Sequence, residues 1–219
     1  MGFRKDVIRF FRGIGKDRYA RKEDYVYDTA MDWFERHLNA VLLREKAAVI
    51  RGTVLDLGCN HGLAALHLAR RGERVVGVDL NRAALRRAVS QARIILPGGA
   101  PNVLFLNGLL QSLPLRSDSF DAALLFDVLE HIYPDDYDRV FPEIFRVVKP
   151  GGVLFLVTPQ GRHYDDHAHV AYFFTAGEIA SIVSRYGFLV EEIVLDERPD
   201  EHGSPHHRFN CLARKGSAA

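Results

Sequence analysis

The stretch from Thr53 to Ala69, Thr-Val-Leu-Asp-Leu-Gly-Cys-Asn-His-Gly-Leu-Ala-Ala-Leu-His-Leu-Ala, constrains the fold more than any other part of the chain. Val54, Leu55 and Leu57 read as a short buried strand, Gly58 to Gly62 as a tight turn, and the apolar residues beyond it as a helix. One acid, Asp56, sits inside the strand two residues before the first glycine. A second, Asp79, closes the next apolar run, Val75-Val-Gly-Val-Asp-Leu80. Two strand-end acids around a glycine turn indicate a nucleotide-like ligand at the carboxyl edge of a parallel sheet.

The alternation continues to the end of the chain. Strands are expected at 53–57, 74–79, 102–106, 121–126, 153–158, 188–195 and 208–213, with helices at 62–71, 82–95, 135–148 and 176–185. Asn81 is placed to cap the second of these helices, and Pro97-Gly-Gly99 breaks it. Strands separated by helices of this length call for an α/β fold, a mostly parallel, doubly wound sheet with helices on both faces. Upstream, Met31 to about Ile50 reads as a long helix with Leu38, Val41, Leu42 and Val49 on its inner face, ended by Arg51-Gly52. Residues 1–51 are therefore expected to form an N-terminal helical cap on a ligand-binding domain spanning 52–219. Within the cap, residues 1–22 carry eight Lys or Arg against two Asp, and Phe3, Val7, Phe10, Phe11 and Ile14 fall at amphipathic helical spacing.

Charge and composition exclude several function classes. The formal net charge is +1, so no global field favours nucleic acid, and the positive excess is confined to residues 1–22. No nucleic-acid partner is expected. Two cysteines, Cys59 and Cys211, cannot make a disulfide framework and suit a reducing compartment. The longest apolar runs fall far below the roughly 20 residues of a membrane span. The basic start is followed by no signal-type apolar core, and a cytoplasmic location is the expectation. Nothing in the sequence decides the oligomeric state.

The glycine turn narrows the ligand. A dinucleotide fingerprint is Gly-x-Gly-x-x-Gly, whereas the run here is Gly58-Cys-Asn-His-Gly62 with Asp56 beside it. A carboxylate at that point repels a pyrophosphate and suits a ligand carrying an ammonium and a sulfonium. Asp79, 23 residues after Asp56, is placed to accept both hydroxyls of a ribose.

With these features on one chain, the sequence resembles the class I S-adenosylmethionine-dependent methyltransferases, in the small type-11 group that includes ubiquinone and menaquinone biosynthesis methyltransferases. The resemblance covers about residues 52–214. It rests on an ordered set of motifs: 54–62, Val76-Gly-Val-Asp79, Leu113-Pro-Leu-Arg-Ser-Asp-Ser-Phe-Asp121, Val128-Leu-Glu-His131, and Arg146-Val-Val-Lys-Pro-Gly-Gly152 running into Leu154-Phe-Leu-Val-Thr-Pro159. It implies a Rossmann-like sheet of seven strands whose last strand runs antiparallel to the strand at 188–195. It further implies S-adenosyl-L-methionine as methyl donor. Gly58, Cys59, Asn60 and Gly62 would line its methionine portion, with Asp56 near the ammonium; Asp79 would hold the ribose and Leu80 the adenine face. Phe126 and Asp127 would stand near the sulfonium and the entering acceptor.

The chain departs from the family pattern at two positions. Asn60 replaces a usual glycine, and asparagine tolerates positive φ better than most residues. Leu109 replaces the acid that usually binds the adenine amino group, leaving Asn107, Gln111 or backbone groups to do so.

Methyl transfer to a hydroxyl is helped by a general base, and His131, just past the fourth strand, is the candidate, with Asp127 beside it. Asp127, Glu130 and His131 also have one-helix-face spacing and, with His163, His167 or His169, form an alternative divalent-metal set; the competing reading is a polar substrate lid. The expected acceptor is a small molecule, methylated at oxygen in preference to nitrogen or carbon. Tyr164, His167, His169, Tyr172 and Phe173 are expected near it, and His202, His206 and His207 could join them across the last hairpin, with exposed loop histidines as the competing reading. The rival readings are a non-catalytic cofactor-binding protein and a nucleic-acid methyltransferase.

Overall fold

The structure, a computed structural model, describes residues 38–96, 98, 100–160, 174–198 and 207–216. The basic segment 1–22, the start of the long helix expected from Met31, and the expected acceptor-side residues 161–173 and 199–206 lie outside the described residues. The elements are α1 (Leu38–Glu45), β1 (Thr53–Leu57), α2 (Leu63–Arg70), β2 (Arg74–Asp79), α3 (Arg82–Ile95), β3 (Val103–Asn107), β4 (Phe120–Phe126), α4 (Tyr137–Val147), β5 (Val148–Pro159), α5 (Ala176–Arg185), β6 (Phe188–Asp196) and β7 (Arg208–Lys215). The strands form one seven-stranded sheet in the order β3-β2-β1-β4-β5-β7-β6. Only β7 runs against the rest, paired antiparallel with both β5 and β6.

Strand alternation sends side chains to two separate cores. Leu55 and Leu57 of β1 join Ala123, Leu125, Leu154 and Leu156, under Val140, Phe141 and Ile144 of α4 and Ile179 and Val183 of α5. Val54 points the other way, with Ala122, Leu124, Val153, Phe155 and Val157, under α1 and α2. Asp56 lies on that second face too, and is 3% exposed. The strand order reverses between β1 and β4, so the loops leaving those two strands diverge and open a crevice at their carboxyl ends.

Two boundaries depart most from expectation. The described part of the first helix ends at Glu45, not near Ile50, because Ala47 and Val49 donate to carbonyls three residues back and tighten the chain into a turn. Its buried contribution comes from Ala40, Leu42, Leu43 and Ile50, while Val41 and Val49 are half-buried. β5 begins at Val148 instead of Val153: Val148 pairs with Phe120, and a bulge absorbs Lys149-Pro-Gly-Gly152 before Val153 pairs with Ala122.

The turn after β1 has a packing reason for its second glycine. Gly62 has φ 77°, and a Cβ there would meet the Phe105 ring at 2.6 Å and Ala88 at 3.0 Å. Gly62→Ala is expected to cost about 2–3 kcal/mol from overpacking and strain. By thermal unfolding that is a fall of roughly 4–12 °C in Tm; an unchanged Tm would show that the turn repacks freely.

Candidate cofactor site

A cavity of about 300 Å³ occupies the crevice at the carboxyl edge of the sheet. One wall is the glycine turn after β1, anchored to β2 by hydrogen bonds: the N–H groups of Gly58 and Cys59 both donate to the Val78 carbonyl, at 2.8 and 3.1 Å. Asp79, at the tip of β2, is held from both sides. Its Oδ2 accepts from the Asn60 N–H at 2.8 Å, and its Oδ1 from the Asn81 N–H at 2.7 Å. The carboxylate is thus aimed by main-chain groups, with further lone pairs on each oxygen available to a ligand. Asn81 caps α3 through its own side chain, accepting from the N–H groups of Ala83 and Ala84.

The opposite wall is the segment after β3. Asn107, paired in register with Asp79, donates to the carbonyls of Asp79 and Leu80 at 3.0 and 2.9 Å and accepts from Arg82 Nε at 2.8 Å. Its amide thus ties β3 to β2. Gly108, Leu109, Leu110 and Gln111 continue into the cavity wall. Glu143 and Arg146 of α4 hold the chain just beyond: the Leu113 N–H donates to Glu143, and Arg146 donates to the carbonyls of Leu113 and Leu115.

The far end is built from the chain leaving β4. Asp127 adopts φ 52°, and the Arg208 Nη1 lies 2.8 Å from both of its carboxylate oxygens. A 3₁₀ turn, Leu129–His131, follows, so the one-face α-helical spacing expected for Asp127, Glu130 and His131 is not realised. Asp127 and His131 line the cavity. Glu130 turns inward, 3% exposed, and accepts from the Thr158 hydroxyl at 3.1 Å. Among the described residues no group of three His, Cys, Asp or Glu side chains is placed to hold a metal ion; His163, His167 and His169 lie outside them.

Of the residues singled out from the sequence, Gly58, Asn60, Asp79, Leu80, Asp127 and His131 line the cavity. The other four stand behind it. Asp56 lies under the first turn of α2, where the Ala65 N–H donates to it; Cys59 is buried in the turn. Gly62 packs against Phe105, and Phe126 meets the Phe155 ring edge-on at 5.5 Å. Asn60 has φ 49°, the conformation that lets it stand in for glycine. Sequence reasoning missed His61, Arg87 and Tyr133 in the lining, and Arg208 behind it. Arg87 carried a signal, one turn beyond Ala83 and Ala84 on the helix capped by Asn81. Arg208 carried none, since it reaches Asp127 across 81 residues of chain.

Burial dominates the electrostatics. It pushes the Asp56 carboxyl up to about 7, opposed by the Ala65 N–H and reinforced by the nearby charge of Asp79. One oxygen of Asp56, Oδ2, is buried without a hydrogen-bond partner. Glu130 is pushed up to about 8, by burial first and by Asp127 second. The Cys59 thiol is driven far above its ordinary value by burial and the charges of Asp56 and Asp79, which makes it inert as a nucleophile. His61 is shifted down by burial and by Arg87.

Residues 55–156 match the methyltransferase domain family model known as type 11. A Mycolicibacterium smegmatis protein named "Probable S-adenosylmethionine-dependent methyltransferase" is 31% identical over 166 residues, 73% of this chain and 60% of its own length. A ubiquinone biosynthesis O-methyltransferase of Paracidovorax citrulli is 37% identical over 106 residues, 48% of this chain and 42% of its own. The crystal structure of an S-adenosylmethionine-dependent methyltransferase from Methanosarcina mazei superposes with a TM-score of 0.66 at 26% identity, covering 77% of this chain and 94% of that one. The chain spans about half the length of the curated relatives it matches, from 42% to 60%. Over the matched stretch this chain is similar to S-adenosylmethionine-dependent methyltransferases. Among the described residues, no helix is long and apolar enough to cross a membrane.

The two raised carboxyls set a pH dependence. Folded Asp56 and Glu130 keep protons that the unfolded chain gives up near its ordinary values of 3.8 and 4.5. The stability they confer is complete below pH 4 and is lost as pH rises towards about 7 for Asp56 and about 8 for Glu130. Glu130→Gln keeps an acceptor for Thr158 but has no proton to lose. It is expected to raise Tm by roughly 2–4 °C at pH 8.5, equivalent to about 1 kcal/mol, and to change it little at pH 5. A lower Tm at pH 8.5 would show that Arg208 stabilises an ionised Glu130.

Proposed function

We propose that this chain binds S-adenosylmethionine in the cavity and transfers its methyl group to a small-molecule acceptor, at oxygen. The observation that carries this reading is Asp79, whose carboxylate is fixed by the Asn60 and Asn81 N–H groups at the cavity wall. A carboxylate in that setting accepts the two vicinal hydroxyls of a ribose. The residues behind it fit the rest of the cofactor. Gly58, at φ 69°, leaves the main chain open where a Cβ would strike Val128 at 2.6 Å. Beneath the same turn, the unpartnered Oδ2 of Asp56 offers an acceptor to an ammonium group, whose positive charge would favour the ionised carboxylate.

When bound, S-adenosylmethionine supplies a methyl group already attached to a sulfonium leaving group. The protein's contribution is then mainly alignment, a positional effect worth ~7–11 kcal/mol in favourable cases. Asp79 and the glycine turn hold the donor end. At the other end, Val128, Ile132, Tyr133 and Val140 form an apolar wall for the acceptor and exclude water from it. His131, in the same lining, takes the proton from the acceptor hydroxyl. Asp127, held by Arg208, orients the acceptor from the carboxyl end of β4. The preference for oxygen draws on His131 as a neutral-pH base and on the named activity of the ubiquinone relative.

Calorimetry with S-adenosylmethionine tests the donor half. Asp79→Ala is expected to weaken binding roughly a hundredfold, the scale of two hydrogen bonds to a charged group. Wild-type protein that takes up neither S-adenosylmethionine nor S-adenosylhomocysteine would end this reading. The acceptor half is tested by S-adenosylhomocysteine release across phenols, hydroxy acids, amines and sugars, with and without a chelator. With a working acceptor, His131→Ala is expected to lower kcat by about 10²–10⁴-fold while leaving donor affinity intact. Full activity in that variant would remove His131 as the base.

A further inference from the structure

Positive charge outside residues 1–22 is concentrated in one place. From Leu80 to Leu115 the chain carries four arginines, Arg82, Arg86, Arg87 and Arg93, and no lysine, aspartate or glutamate. All four belong to α3 and are exposed. Arg82, Arg86 and Arg93 fall within an arc of about 40° and form a row about 16 Å long down the helix. Arg82 donates to the side chain of Asn107, a neutral partner. Arg86, Arg87 and Arg93 make no hydrogen bond or ion pair to another described residue.

Such a row is unfavourable in isolation, because like charges one helical turn apart repel. Elsewhere arginines are matched with acids: Arg146 with Glu143, Arg185 with Asp138, and Arg214 with Glu191. Residues 80–115, which supply both α3 and its neighbour β3, hold no acid to do the same. Two large apolar side chains also stand on the solvent side of α3, Val89 at 38% exposed and Ile94 at 58%. The helix meets the core through Ala84, Leu85, Ala88 and Ala92, so neither Val89 nor Ile94 is needed there. The face borders the cavity, since Ala83 and Arg87, the chain neighbours of Arg82 and Arg86, line it.

We infer that the outer face of α3 is a docking surface for an anionic lipid bilayer, its arginines meeting headgroup phosphates while Val89 and Ile94 enter the interface. A guanidinium suits phosphate because its planar fork donates two parallel hydrogen bonds. The negative potential of an anionic leaflet attracts each arginine held near it. Exposed aliphatic side chains set among cations are what a lipid interface takes up. A nucleic acid is the poorer match, because α3 carries no aromatic ring on which a base could stack. The contact is peripheral: α3 stays packed on the sheet, and the cavity rim comes to lie beside the headgroups. This assignment is independent of what the cavity binds.

Sedimentation of the full chain with vesicles tests this. The protein is expected to bind equimolar phosphatidylglycerol–phosphatidylcholine vesicles, to ignore pure phosphatidylcholine, and to come off in about 0.5 M salt. The double variant Arg86→Gln, Arg93→Gln is expected to bind about 30-fold more weakly, about fivefold per arginine. The charge-conserving pair Arg86→Lys, Arg93→Lys is expected to keep most of the affinity. Ile94→Ser is expected to weaken it about tenfold, the scale of one aliphatic side chain withdrawn from the interface. These exposed positions leave the melting temperature near that of the wild type, which serves as proof of folding. Undiminished binding in Arg86→Gln, Arg93→Gln overturns the assignment and moves the contact to the basic segment 1–22. A wild type that ignores the anionic vesicles, or binds duplex DNA in their place, overturns it as well.

Discussion

The hydrogen bonds that stitch the turn after β1 to the end of β2 hold the whole site in register. Val78 offers one carbonyl to the N–H groups of Gly58 and Cys59, and Asp79 offers one carboxylate oxygen to the N–H of Asn60. The other oxygen of Asp79 reaches the start of α3. A single residue thereby links two strand ends and two helix starts. Any shift of β2 relative to β1 by one residue would reverse the faces of Val75 and Val78 and dismantle the turn together with both cores.

That arrangement requires a backbone that ordinary residues resist. Gly58, Asn60 and Gly62 all have positive φ within five residues. Such conformations cost free energy and persist where surroundings over-determine them. Here the determinants are close approach to Val128 at Gly58, to Phe105 at Gly62, and the Asp79 hydrogen bond at Asn60. The same logic extends to Asp127, whose left-handed conformation is held by its N–H donating to the Val157 carbonyl and by Arg208. Strain is concentrated where the chain must present main-chain groups or a charge to the cavity.

The buried acids divide by environment. Asp79 is wetted by the cavity and fixed by main-chain donors, whereas Asp56 and Glu130 sit behind it and are raised by burial. The strand alternation decides which is which. Asp56 points to the α2 face because it is one residue from Leu55 and Leu57, which face α4. Glu130 is drawn under the sheet edge to Thr158 by the 3₁₀ turn. An i, i+3, i+4 pattern of Asp, Glu and His in the sequence suggested a shared helical face, and the turn type redistributes the three instead.

Local chemistry in the chain was enough to specify the alternating strands and helices, the glycine turn and the two acids beside it. Hydrophobic periodicity and turn residues act over a few positions, so α3 and α5 were legible to the residue. The wall at 108–111 was legible as an oddity, a leucine where an acid is usual. The hydrogen bonds from Asn107 to the Asp79 and Leu80 carbonyls could not be read from it, because they form only once β3 lies beside β2. The pairing of Arg208 with Asp127 was invisible for the same reason. It exists only because β7 folds back antiparallel to β5 and sets Arg208 opposite Pro159, near the carboxyl end of β4. Sequence determined the strand-end chemistry of this protein; the tertiary structure decided which buried groups face the cavity, since strand order and register bring together residues that no local pattern connects.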